Sequence, residues 1–230
     1  MSKVTATLRT TGIIAVIVLI FAVIFASLTH APAAREQVWD EATAVGNLDA
    51  KNHYIMYTDL MCPYCDVFSR AVMDHWDEFL AYLDEHDILF EIRLTDMLYE
   101  GNDIDYSRDA AEAAFCATRA GRFWDYYHAA LAALWDDYHS KGIGNSKTAD
   151  PITDMPDDYW LEIGSEIGLG DDFTNCVTNH ESVADIEENT LRASRSAQGL
   201  PSFQFNDFVT SGFGETWGWD YVLMYLDAGL

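Results

Sequence analysis

The sequence predicts an α/β domain in the order strand, helix, strand, a block of helices, two further strands and a closing helix. Three observations carry that prediction. Short apolar runs bounded by turn residues occur at His53–Asp59, Ile88–Leu94 and Pro201–Phe205. Apolar residues recur at steps of three and four from Pro63 to Glu85 and again across most of Ser107–Gly199. A Cys-Pro-Tyr-Cys tetrapeptide, Cys62 to Cys65, stands where the first strand hands over to the first helix.

The elements follow in chain order. Ile13–Leu28 has a single polar residue, Ser27, and is preceded by Lys3 and Arg9 with no acid. Widened to Thr10–Thr29 it spans roughly 30 Å as a helix, about one bilayer core. It is read first as a signal anchor: one transmembrane helix that holds the chain on the cell membrane. The alternatives are a signal peptide cleaved after Ala33, within Ala31-Pro32-Ala33, which gives a secreted protein, and a buried core helix. The first two readings put residues 36–230 outside the cytoplasm, because the bases before the span stay inside. Residues 1–35 are then anchor or signal peptide plus tether, and 36–230 the working domain. Residues 29–49 read as a small-residue tether leading into that domain.

His53–Asp59 is aromatic and apolar, a short buried strand. Phe68, Val72, Trp76, Phe79, Leu80 and Leu83 mark one amphipathic helix ending near Glu85. Ile88–Leu94 is a second strand, with apolar and charged residues alternating at its end. Ala110–Ala120 is Ala-rich. Phe123, Tyr127, Leu131 and Leu134 mark a helix broken near Gly142-Ile143-Gly144. Tyr159–Ile167, Asp172–Asn179 and Ser182–Ala197 are further helices, the last stopped by Gly199. Pro201–Phe205 is a strand, Asn206-Asp207 a turn, Phe208–Thr210 its short partner and Trp219–Leu226 the final helix.

The 230 residues suit one ordinary domain plus additions, or at most two small ones. With 50% hydrophobic and 13% aromatic residues, global disorder and collagen-like classes are excluded. The formal charge is −25, and all 38 acids follow Arg35. Residues 36–230 set ten bases against those 38 acids, a formal −28. Such a surface repels phosphates, which argues against nucleic acid as a partner. It would also suit a saline habitat, where salt screens self-repulsion.

Four cysteines are present: Cys62, Cys65, Cys116 and Cys176. At a helix start, unpaired N–H groups and the macrodipole stabilise an anion. Cys62 would sit there, exposed enough to react as a thiolate, with Cys65 inside the first turn and within reach. That favours redox cycling between dithiol and disulfide. The bland readings are half of a zinc site and a plain structural disulfide, but Cys116 and Cys176 have no C-x-x-C or C-x-x-H partner.

Asp59-Leu60-Met61-Cys62-Pro63-Tyr64-Cys65, Phe115-Cys116, Gly121-Arg122-Phe123-Trp124 and Gly199-Leu200-Pro201-Ser202-Phe203 resemble, in order, the DsbA-like branch of the thioredoxin superfamily over about residues 45–228. The resemblance implies a thioredoxin fold with a helical insertion at about 107–198 and a thiol–disulfide oxidoreductase activity. It maps the attacking cysteine to Cys62, the resolving cysteine to Cys65 and a cis-proline facing them to Pro201. On its own, Pro201 reads first as an edge or strand-start proline, and the C-x-x-C shifts it to the cis reading. Leu200 departs from the more usual Thr or Val and bears on substrate preference, as do Pro63 and Tyr64 on redox tuning. The Trp- and Gly-rich stretch Gly212–Trp219 departs as well. Some members of the branch carry an extra bridge in the insertion, and in an oxidising compartment two remaining cysteines usually pair. Cys116–Cys176 is therefore expected as a structural disulfide, against two buried free thiols.

Asp59 is either a strand-end cap or a carboxylate tuning proton transfer near Cys65. The seven histidines show no metal-ligand spacing, so no metal and no cofactor is expected. His128, with Trp124, Tyr126 and Tyr127, reads as helix packing. The expected function is disulfide introduction or exchange in exported cysteine-containing proteins, with a membrane redox partner recycling the pair. The rival is a thioredoxin-like module that binds a soft metal or a partner without redox turnover.

Overall fold

The computed structural model describes residues 40–98, 106–144, 152–196, 198–206 and 208–230. The chain divides into two units, Met1–Trp39 and Asp40–Leu230, and the description concerns the second. Among the described residues no helix is long and apolar enough to cross a membrane. The run Ile13–Leu28, on which the anchor and signal readings rest, lies outside the described residues.

The elements are β1 (Ala44–Gly46), β2 (Asn52–Thr58), α1 (Pro63–Met73), α2 (Trp76–Glu85), β3 (Ile88–Leu94), α3 (Tyr106–Cys116), α4 (Phe123–Asp137), α5 (Tyr159–Glu166), α6 (Asp171–Thr178), α7 (Val183–Ser196), β4 (Ser202–Phe205), β5 (Phe208–Ser211) and α8 (Trp219–Asp227). The five strands form one sheet in the order β1-β3-β2-β4-β5. β2 and β3 run parallel, joined through α1 and α2, and the remaining neighbours are antiparallel. The helices α3–α7 are inserted between β3 and β4. This is a thioredoxin fold with a helical insertion.

All seven residues of β3 and the last five of β2 are buried, as in a sheet covered on both faces. The charged residues of β3 are not a solvent face. Arg93 grips Glu91 in a fork, Nε–Oε1 2.8 Å and Nη2–Oε2 3.1 Å, and both are buried. Phe68 of α1 packs on Phe203 of β4 and Phe213, at ring centroids 4.7 and 5.1 Å apart, which seats the first helix on the sheet.

Two expectations change. The helix expected from Pro63 to Glu85 is two helices, broken at Asp74-His75. His75 leaves helical backbone (φ −126°, ψ 33°) and stacks its ring on Trp219 at 5.0 Å. The break is silent in the periodicity because Val72 and Trp76 stay four apart. Residues 44–46, expected as tether, form edge strand β1 on β3. Gly46 is required there: at φ +108° its chain passes so close to β3 that a Cβ would lie 2.4 Å from the Ile88 carbonyl oxygen. Asp207 of the expected turn lies outside the described residues.

Candidate active site

The site begins where β2 ends. Asp59, Leu60 and Met61 turn the chain, and the Cys62 N–H closes the turn on the Asp59 carbonyl at 3.0 Å. Cys62 is the N-cap of α1, with extended backbone (φ −81°, ψ 115°), and its carbonyl accepts the Asp66 N–H at 3.0 Å. Pro63 opens the helix where no N–H is needed, so the tetrapeptide both ends the strand and starts the helix.

Cys62 and Cys65 are free thiols. Cys62 is 4% exposed, a correction to the open position expected from sequence, and Cys65 is 2% exposed. The helix start is roofed by the body of the domain, and of the motif only Tyr64, 41% exposed, stands clear. Burial pushes the Cys65 thiol well above its ordinary value, and the hydrogen bond and charge of Cys62 push it the same way. The Asp59 backbone and the Thr58 side chain pull weakly in the opposite direction.

Asp59 is fully buried beneath the motif. Oδ1 accepts the Met61 N–H at 2.9 Å; Oδ2 accepts the Leu98 N–H at 3.1 Å and the Ser107 hydroxyl. Burial raises its carboxyl to about 6, even though these three donors lower it. The residue is thus a cap and a perturbed acid together. Ser107, from the first turn of α3, carries no sequence signal for that contact.

Pro201 is buried, and the Leu200–Pro201 peptide is cis. Tyr57 pairs with Ser202, so Pro201 lies at the end of the sheet where β2 leads to Cys62. Its carbonyl accepts the Gly212 N–H at 2.7 Å, and Leu200 packs half-buried against the core. Cys116 and Cys176 are joined in a disulfide between α3 and α6, both fully buried. They are remote in sequence from the tetrapeptide and lie in the inserted helices.

Two residues went unnoticed in the sequence. Asp66, next to Cys65, is buried, and His139 from the 3₁₀ turn His139–Lys141 meets it, Nδ1 to Oδ2 3.1 Å. Both line a groove of about 570 Å³ with Pro63, Arg70, Trp135 and Trp217. The four-residue step from Cys62 to Asp66 was a readable signal; the histidine 73 residues away was not. Among the described residues no group of three or more His, Cys, Asp or Glu is arranged to hold a metal ion.

The thioredoxin family profile matches residues 40–212. The chain belongs to the thioredoxin family. A thioredoxin-like oxidoreductase from Silicibacter pomeroyi DSS-3 superposes with a TM-score of 0.56 at 22% identity, covering 82% of this chain and 92% of its own. The thiol-disulfide exchange protein alpha-DsbA2 from Wolbachia pipientis gives 0.55 at 17%, covering 80% and 85%. A periplasmic thioredoxin-like protein from Salmonella enterica serovar Typhimurium gives 0.52 at 16%, covering 83% and 91%. These likenesses show a shared thioredoxin-like fold. No protein of curated function matches the sequence. The transmembrane helix and single-pass membrane localisation expected from sequence find no helix to carry them among the described residues.

Proposed function

We propose that this thioredoxin-family chain is a protein thiol–disulfide oxidoreductase working through Cys62 and Cys65. The observation that carries the reading is Cys62 at the N-cap of α1 with Cys65 in the first turn, where the N–H groups and helix dipole favour a thiolate at Cys62. In the donor direction the pair starts as a disulfide. A client thiolate attacks Cys62 Sγ, the Cys62–Cys65 bond breaks, and Cys65 leaves as a thiolate that takes a proton from Asp59. A second client thiolate then attacks the client sulfur of the mixed disulfide. The client disulfide forms, Cys62 leaves as thiolate, and two electrons have passed from client to enzyme. Cys65, with its raised thiol, holds the proton. The cis-Pro201 edge offers backbone to an extended client, and Tyr64 and Leu200 shape what it meets.

Clients are exported cysteine-containing proteins, and a membrane redox partner reoxidises the pair. A buried Cys116–Cys176 bridge supports an oxidising compartment, hence a domain working outside the cytoplasm, and favours donation over reduction. That bridge is structural in this reading. A second reading, a partner-binding module without turnover, is favoured by the burial of Cys62 at 4% exposure. One experiment separates them. Cys62→Ser should abolish exchange with a model disulfide, and Cys65→Ser should accumulate mixed disulfides with clients on non-reducing gels. Full exchange by Cys62→Ser, or no exchange by the parent chain, overturns the proposal.

A further inference from the structure

We infer that Asp66 and His139 form a tuning pair that sets the redox poise of Cys62–Cys65, resting on the oxidoreductase reading above. Asp66 lies one turn beyond Cys62, and its N–H is donated to the Cys62 carbonyl at 3.0 Å. Cys62 caps the helix and Asp66 lies in its first turn, so the two stand within one helical turn of each other. Its carboxylate is buried rather than solvated, so its charge reaches Cys62 with little screening. Oδ1 has no hydrogen-bond partner in the protein, while Oδ2 receives His139 Nδ1 at 3.1 Å. His139 is itself 1% exposed and comes from the turn that follows α4 within the helical insertion, just before Gly142 turns the chain at φ 86°.

The charges decide the direction. A bare carboxylate one turn from Cys62 disfavours its thiolate. Because the thiolate belongs to the dithiol form, that disfavours the reduced state and makes the disulfide a weaker oxidant. The hydrogen bond from the imidazole draws on the carboxylate's charge and restores oxidising power. The insertion therefore does more than cover the site: it delivers the counter-group to the acid beside the motif. The other charged side chains on that groove are Arg70, engaged over Trp135 at 4.1 Å, with Asp74, His75 and Glu215. None of these makes a hydrogen bond or ion pair with the Asp66 carboxylate. A helix cap alone would also favour an acid near the N-terminus, but capping predicts no effect on the cysteine equilibrium.

The test is equilibration of the full chain with glutathione, in which one protein disulfide and two glutathione thiols exchange for a protein dithiol and one glutathione disulfide. Asp66→Asn should move that equilibrium about tenfold toward the dithiol, roughly 30 mV. His139→Gln keeps a hydrogen-bond donor but not the imidazole, and should move it severalfold toward the disulfide. Melting curves and far-ultraviolet circular dichroism check that both variants fold. Opposite shifts support the inference; no shift, or shifts of one sign, overturns it. If His139→Gln fails to fold, Asp66→Asn alone decides. If the parent pair does not equilibrate with glutathione, the oxidoreductase reading has failed rather than the tuning pair.

Discussion

Replacing Asp59 by Asn should change how stability depends on pH, and the structure sets the size. The Asp59 carboxyl is fully buried and sits at about 6, against an ordinary 3.8. Raised folded-state values mean the native protein binds a proton that the unfolded chain has released between those limits. Stability is therefore greatest below about pH 4 for this group and is lost as pH rises through 6. A difference of about two units corresponds to about 3 kcal/mol at neutral pH. Asn has no proton to lose, so its stability relative to the parent should rise by about 2 kcal/mol between pH 4 and 7. A constant offset is expected as well. Oδ1 and Oδ2 accept from three donors, and Asn turns one acceptor into a donor facing them, at about 1–3 kcal/mol. That offset does not vary with pH, so the slope isolates the ionisation. Urea unfolding of both proteins at matched pH, with the cysteine pair in one redox state, measures it. Parallel profiles from pH 4 to 7 would refute the buried-carboxylate argument. The same variant should slow proton delivery to Cys65 by at least tenfold near pH 5.5 in single-turnover exchange.

Two further outcomes follow from the rest of the molecule. Cys116→Ala with Cys176→Ala opens a 60-residue loop, which should lower stability by about 4 kcal/mol in the chain-entropy model while exchange at Cys62 is retained, read by urea unfolding and by turnover of a model disulfide. Sodium chloride at 1 M should raise the melting temperature by several degrees, because ten bases face 38 acids over residues 36–230; an unchanged or lower value counts against self-repulsion.

How much of this was legible in the sequence divides by the range of the interaction. Local signals carried the elements. The apolar run at His53–Asp59, the period change at Pro63 and the Gly142 stop each arise within one element and each appear in the fold. What the sequence hid depends on partners far away. β1 is three residues long and exists because Glu91, Phe90 and Leu89 hydrogen-bond to it, and no periodicity can appear in three residues. At the break Asp74-His75, the His75 ring stacks on Trp219 from the last helix, far away in sequence. Glu91 and Arg93 are residue types normally exposed, and their mutual fork is what allows burial. At the site, Cys62, Cys65, Pro201 and Asp59 were legible as residue types near a strand–helix junction. The burial of Cys62, the Ser107 contact and His139 were not, because each is supplied by the fold around the motif.

The acidity of the chain and the acidity of its site are separate physical matters. Exposed carboxylates are solvated, and salt screens them beyond about 8–10 Å, so most of the 38 acids act on the cysteine pair weakly. Among the described residues the buried acids are Asp59, Asp66, Glu91, Asp96 and Glu112, with Glu91 held by Arg93 and Glu112 by His180. Asp59 has three donors, Asp66 has His139, and Asp96 has Arg108 at 2.6 Å and the Thr190 hydroxyl at 2.6 Å. Asp59 and Asp66 flank the tetrapeptide, and Asp96 raises the Asp59 carboxyl through space. A substitution on the acidic surface should therefore change solubility and salt response and leave the exchange equilibrium alone. A substitution at Asp59 or Asp66 should do the reverse, since among the described residues these two buried acids flank the cysteine pair.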